Sequence, residues 1–159
     1  MLHPNRRAAI SMMFAGAVLL ANPTSVTAAA RSPDVWTDMH GQALKGYDAV
    51  AYHLERKAVK GKKAFSLEWN GATWLFSSAE NRDRFQADPV RWAPQYGGYC
   101  AWGIAKDRTV HINPTIFRIF DDKLYLNVNM KVHKKWLKNR HGFIAEADAK
   151  WPGVLELKR

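Results

Sequence analysis

The chain has one cysteine, Cys100, and it is the first side chain whose type could do chemistry. It stands in a glycine-rich, aromatic stretch, residues 94–103 (PQYGGYCAWG). A thiolate there is a soft ligand for copper(I), or a redox-active group in an oxidising compartment. The plainer alternative is a small buried apolar residue. His53, His111, His133 and Met130 supply imidazole and thioether groups, so the chain holds the ligand types suited to copper. Met130 and His133 are one helical turn apart, a spacing that puts them on one face. No two histidines stand at H-x-H or H-x-x-H spacing, so such a site has to be assembled from distant segments. A single cysteine excludes an internal disulfide framework and any zinc site built on two thiolates of this chain.

The carboxylates point to structure rather than catalysis. Asp48 suits the role of acceptor for turn amides, Asp121 and Asp122 read as turn residues, and Glu146 and Asp148 read as solvated positions on a late helix. Ser77 and Ser78 lack the G-x-S-x-G context of a hydrolase nucleophile. Gly97-Gly98 lacks the pattern of a phosphate-cradling loop. A second class of function comes from aromatics. Tyr96, Tyr99 and Trp102 surround Gly97-Gly98 and form a candidate groove for an apolar or planar ligand, because glycine lets a ligand approach the backbone. Trp69, Trp74, Trp92, Trp136 and Trp151 read as core.

The elements that must position these residues alternate between strand and helix patterns. Residues 49–54 (AVAYHL) form a short apolar run with Val and Tyr, which predicts a strand. Residues 64–69 alternate, with Phe65, Leu67 and Trp69 on one face. Asn70-Gly71 then predicts a tight hairpin into residues 73–77. Ser78 is placed to cap a helix over residues 79–87 with Phe85 facing the core. Asp88-Pro89 ends that helix and opens a short one toward Ala93. Asp121-Asp122 joins a second hairpin, residues 116–120 and 123–128. Asn129 caps a helix over residues 130–139, and a last helix over residues 143–150 stops at Pro152-Gly153. The fold class is α+β, with two β-hairpins, short helices and a C-terminal helical segment.

The N-terminus reads as a leader. Arg6-Arg7 precedes an uncharged run at residues 8–21, Asn22-Pro23 breaks it, and Ala28–Ala30 supply small residues for cleavage. The apolar run is too short to span a bilayer comfortably, and the arginine pair is compatible with the twin-arginine route. Residues 1–30 are therefore expected to be removed, leaving an arm at 31–45, a domain at 46–153 and a tail at 154–159. No transmembrane span is expected in the mature chain, and the expected location is periplasmic or secreted. The net charge of +10 is spread along the chain. Its basic residues are not interleaved with stacking aromatics as in nucleic-acid modules, and the charge reads as a solvated surface.

Several blocks in fixed order resemble the YHS domain: Gly46 to Tyr52 (GYDAVAY), Trp74 to Asn81 (WLFSSAEN), Phe85, Asp88-Pro89, Trp92, and Tyr96 to Ala101 (YGGYCA). Lys123 to Asn127 (KLYLN) and Ala147 to Pro152 (ADAKWP) extend the likeness to the exported, single-domain branch of that family, which is similar to the small metal-handling TRASH modules. The resemblance implies an α+β fold and binding of copper or another soft metal. In many members that binding uses one cysteine in the first strand and a Cys-x3-Cys pair after the hairpin. The matching positions here are Ala51, Ser77 and Asn81, so those thiols are absent. Two readings result. One is an exported domain that holds copper or a related metal without catalysis, through Cys100 and the histidines. The other is a metal-free module that binds a ligand or a periplasmic protein through the Gly97–Trp102 region.

Overall fold

The computed structural model describes residues 34–156. The expected leader and the first residues of the arm lie outside this range, as do residues 157–159. Two antiparallel hairpins and six short helices make up the described chain, so the fold is α+β. Helix α1 (Ala49–Leu54) leads into hairpin β1 (Lys62–Trp69) and β2 (Ala72–Phe76). Helices α2 (Ala79–Ala87), α3 (Pro89–Trp92) and α4 (Ala101–Ala105) follow. The second hairpin is β3 (Phe117–Phe120) and β4 (Lys123–Leu126), and helices α5 (Met130–Lys138) and α6 (Arg140–Lys150) close the chain.

Both hairpins turn where the sequence says they should. Asn70 and Gly71 have φ of +49° and +73°, and Asp121 and Asp122 have +48° and +53°. Paired positive φ angles define the tight turn whose twist matches that of the strands. In β1 the side chains of Phe65, Leu67 and Trp69 are half-buried, while Ser66 and Glu68 are exposed, which is the expected period of two. Leu67 pairs with Trp74 and Trp69 with Ala72, and the register slips between Lys62 and Ser66.

Residues 49–54 are a helix rather than the expected strand. The reason is the residue before them. Asp48 Oδ1 accepts from the amides of Val50 at 2.9 Å and Ala51 at 3.2 Å, which caps the first turn. A short apolar run has no period that separates strand from helix, and here the cap decides. Ser78 and Asn129 cap α2 and α5 as the sequence predicts, accepting from Asn81 N at 3.2 Å and Val132 N at 2.9 Å.

Two apolar clusters form the interior. The first gathers Leu44, Val50, Tyr52, Trp74, Phe76 and Phe85 under the first hairpin. The second gathers Tyr96, Ile104, Trp136, Ala147 and Leu155 between α4, α5 and α6. Strand β4 joins them. Leu124 and Leu126 enter the first cluster, and Tyr125 enters the second. Val154 and Leu155 are buried in the second cluster, so the start of the expected tail is packed into the domain.

Candidate functional site

The three positions that match the family's thiols meet at one carboxylate. Asp48 is completely buried. Its Oδ1 caps α1 through Val50 and Ala51, as described. Its Oδ2 accepts from Ser77 N at 2.8 Å, Ser77 Oγ at 2.7 Å and Asn81 Nδ2 at 2.7 Å. Asn81 Nδ2 also reaches Ser77 Oγ at 3.2 Å. Ala51, Ser77 and Asn81 therefore surround an acceptor with five donated bonds, and a buried carboxylate is tolerated when it is satisfied in this way. These residues do not fit a soft metal. They offer no sulfur, and the Ser77 hydroxyl and the Asn81 amide nitrogen are already committed to Asp48.

The expected metal ligands are placed apart, with one exception. His111 is exposed, and Met130 is 51% exposed at the start of α5. His133 is buried one turn further on, so Met130 and His133 share no environment. His53 ends near α3, with its ring centre 5.5 Å from that of Trp92 in a T-shaped pair and its Nε2 buried without a partner. Cys100 is completely buried beside β4. The exception is a chain of contacts through Asn127. Its Nδ2 donates to Cys100 Sγ at 3.7 Å, and its Oδ1 lies 2.8 Å from His133 Nδ1. Among the described residues, no group of three His, Cys, Asp or Glu side chains is arranged to hold a metal ion.

Half-buried His53 and buried His133 both resist protonation. Burial lowers the pKa of His133, and Arg118 adds to the effect. Burial also lowers that of His53, reinforced by Arg56 and Arg91 and opposed by a Trp92 main-chain hydrogen bond and Asp122. The unfolded chain therefore takes up protons before the folded one does. The contribution of these groups to stability is full above about pH 6.5 and is lost as pH falls toward their folded values. The urea midpoint is expected to drop between pH 7.5 and 5.5, and to drop less in a His53→Gln, His133→Gln double variant. Equal drops in the two proteins would refute the assignment.

Tyr96, Tyr99 and Trp102 do not line one cleft together. A cleft of about 370 Å³ opens where the two apolar clusters meet. Trp69 and Trp74 line it from the first hairpin, Tyr96 from the segment after α3, and Trp151 from the end of α6. Of the three expected groove residues only Tyr96 reaches it. Tyr99 packs behind, 6.0 Å from the Trp151 ring, and Trp102 sits elsewhere with Lys135 Nζ 6.0 Å from its ring centre. Trp74 is buried in the core and Asp148 is exposed, both as expected, while Trp69 and Trp151, also expected in the core, are half-buried. Their meeting depends on contacts distant in sequence.

Local backbone explains how Tyr96 gets there. The segment Gln95–Gly98 turns sharply, and Tyr96 takes φ +55°, a left-handed conformation that L side chains seldom adopt. Gly97 follows at φ +58° and lies under the N-terminal arm. Its carbonyl accepts from Trp36 N at 2.8 Å, and a Cβ on Gly97 would overlap the main-chain oxygen of Asp34. The Tyr96 hydroxyl donates to Asp148 Oδ1 at 2.8 Å. Burial pushes its pKa up, and the bond to Asp148 pushes it further, so the hydroxyl stays a donor. Burial likewise pushes Tyr125 up to about 12, with help from Asp148 and Asp121.

Residues 50–96 match the family model of the YHS domain. That segment is a YHS domain. The matched segment runs from α1 through the first hairpin, α2 and α3 to Tyr96, so it includes the Asp48-bound positions and one wall of the cleft. The YHS family is associated with metal handling. No curated protein and no solved structure matches the chain.

Proposed function

We propose that this YHS-domain chain is an exported, non-catalytic binding module that takes a small organic ligand in the aromatic cleft. The observation that carries the reading is the cleft itself: four aromatic residues from three separate parts of the fold line one opening of ligand size. The pockets that hold small molecules are concave and lined mainly by apolar and aromatic side chains with a few polar groups, and this one has that make-up. Export rests on the leader pattern of residues 1–30. The absence, among the described residues, of a helix long and apolar enough to cross a membrane is compatible with it. A copper or other soft-metal reading rests on the family association and on Cys100, whose sulfur accepts from Asn127 Nδ2. The geometry favours the cleft.

The test uses protein recovered from the periplasm and indole as a neutral planar probe, followed by NMR of the tryptophan side-chain N–H signals. Saturable shifts at Trp69, Trp74 and Trp151, with Trp102 and Trp136 unmoved, are expected. Absent or uniformly spread shifts would overturn the cleft as the site. One copper(I) ion taken up per chain, and lost in Cys100→Ser, would replace the reading with the metal one. Recovery only as full-length protein from the cytoplasm would overturn export.

A further inference from the structure

Helix α5 carries a charge pattern that its own stability does not explain. Residues 123–145 hold six Lys or Arg and no Asp or Glu. Four of the six stand on α5 as Lys131, Lys134, Lys135 and Lys138, and all four are exposed. Spacings of three and four residues put them in one stripe along the outer face of the helix. The inner face is occupied: Trp136 and His133 are buried, and Val132 and Leu137 are half-buried. Like charges three and four residues apart repel and destabilise a helix. Lys131 also stands in the first turn, where the helix dipole disfavours a cation; only Lys135 and Lys138, in the last turn, are favoured by it. A surface kept for solubility interleaves both signs, and this one does not.

Nothing packed against α5 neutralises the stripe. Among the described residues, none of the four lysines forms an ion pair. Helix α5 packs against α4 and α6. Helix α4 has no acidic residue. The two on α6 are engaged elsewhere, Glu146 Oε2 with Lys106 at 2.7 Å and Asp148 Oδ1 with Tyr96 at 2.8 Å. Neighbouring cations extend the field. Arg140 follows the stripe, seated 4.5 Å from the centre of the Phe120 ring, and exposed Arg118 on β3 is close enough to disfavour protonation of His133. The stripe is made of lysine, a hydrated point charge without the planar fork that grips one carboxylate or phosphate. Such a face suits a layer of anions rather than a single bound one. Met130, 51% exposed, stands at its edge as an apolar side chain.

We infer that the outer face of α5 docks reversibly on an anionic lipid bilayer through Lys131, Lys134, Lys135 and Lys138. Four to eight basic residues on an amphipathic helix form the pattern that reads anionic lipid surfaces. A bilayer matches charges on one straight face without needing each partner placed individually. The occupied inner face sets the mode. A free amphipathic helix sinks its apolar face into the bilayer, whereas Trp136 and His133 hold α5 in the fold. Docking is then electrostatic, peripheral and sensitive to salt. Nucleic acid fits less well, because Trp136, the aromatic residue within the stripe, is buried and no base can stack on it. The inference is independent of the cleft.

The experiment is flotation of the protein with vesicles of phosphatidylcholine alone and of equal parts phosphatidylcholine and phosphatidylglycerol. Any pull from the apolar run at residues 8–21 acts on both vesicles, so the readout is the difference between them. Tighter binding to the phosphatidylglycerol vesicles is expected, falling as salt rises. Each lysine near such a surface contributes about fivefold. Lys134→Gln with Lys138→Gln should therefore weaken binding by about 25-fold, while glutamine keeps the helix. Lys57→Gln with Lys63→Gln removes the same charge from exposed positions after α1 and on β1, and should leave binding nearly unchanged. Equal losses in the two double variants would trace the effect to net charge and overturn the assignment to α5. Equal affinity for the two vesicles would overturn it as well. Binding to polyglutamate without binding to the phosphatidylglycerol vesicles would overturn the bilayer in favour of an acidic polypeptide.

Discussion

Replacing Asp48 with alanine is expected to destabilise the protein by about 3–5 kcal/mol, the scale of leaving several buried donors without an acceptor. The carboxylate is fully buried and accepts five hydrogen bonds, from Val50, Ala51, both donors of Ser77, and Asn81. Those donors belong to α1, to the residue after β2, and to α2. Alanine would leave them facing one another with no acceptor, and each buried donor left unmade costs about 1–3 kcal/mol. Domain stability is about 5–15 kcal/mol in total. Asp48→Ala should therefore lie close to the unfolding threshold, with a midpoint shift large enough to read directly in urea. Asn81→Ala removes one donor and leaves the acceptor otherwise satisfied, so about 1–2 kcal/mol is expected. A loss below about 1 kcal/mol for Asp48→Ala would mean that water replaces the carboxylate without penalty, and that the hub does not hold the elements together.

This network gives a physical reason for the chain to keep the domain without the family's thiols. A metal held by ligands at these three positions would tie α1 to the end of β2 and to α2. Asp48 ties the same elements through hydrogen bonds. It does so from a position that also caps α1, and that double role is why residues 49–54 are helical. The capping half of the role was legible, because an Asp before an apolar run is a turn acceptor by type. The other half was not. The bonds to Ser77 and Asn81 cross about thirty residues of sequence, and no local pattern predicts a pairing at that distance.

The same division runs through the candidate site. The hairpins, their turns and the caps of α2 and α5 were readable because each depends on neighbours: Asn70-Gly71, Asp121-Asp122, Ser78 and Asn129. Tyr96 was singled out because two glycines follow it, and the structure places it beside the cleft in the second cluster. Trp74 was readable as core and is buried there, whereas Trp69 and Trp151 gave no signal of their half-exposed position, since a tryptophan on a strand or at a helix end looks the same whether it fills the core or walls a cleft. Cys100 and His133 were singled out as metal ligands from residue type. The structure brings them together only through Asn127, a residue whose type gave no reason to choose it. What the sequence could not show was which side chains come together when the second hairpin sets its two faces into two clusters.

Phe85→Ala is the substitution that would couple this core to the cleft. Phe85 is fully buried on α2, and its ring lies 4.8 Å from Trp74, 5.1 Å from Phe76 and 5.6 Å from Trp69. Truncation removes the ring and leaves a cavity, a change that costs about 3–5 kcal/mol for a buried Phe. Leucine fills more of the space, so Phe85→Leu should cost markedly less. Both tryptophans that Phe85 supports line the cleft, and the Trp74 N–H donates to the Trp69 carbonyl at 3.0 Å, which links the pair. Loss of the ring beneath them should loosen that wall. In protein kept folded below its urea transition, Phe85→Ala is expected to weaken indole binding several-fold, and Phe85→Leu to retain most of it. Unfolding midpoints and the tryptophan N–H shifts read the two effects separately. A destabilised Phe85→Ala variant with unchanged indole affinity would show that the cleft does not depend on the cluster beneath it. A loss of stability below about 1 kcal/mol would show that Phe85 does not anchor that cluster.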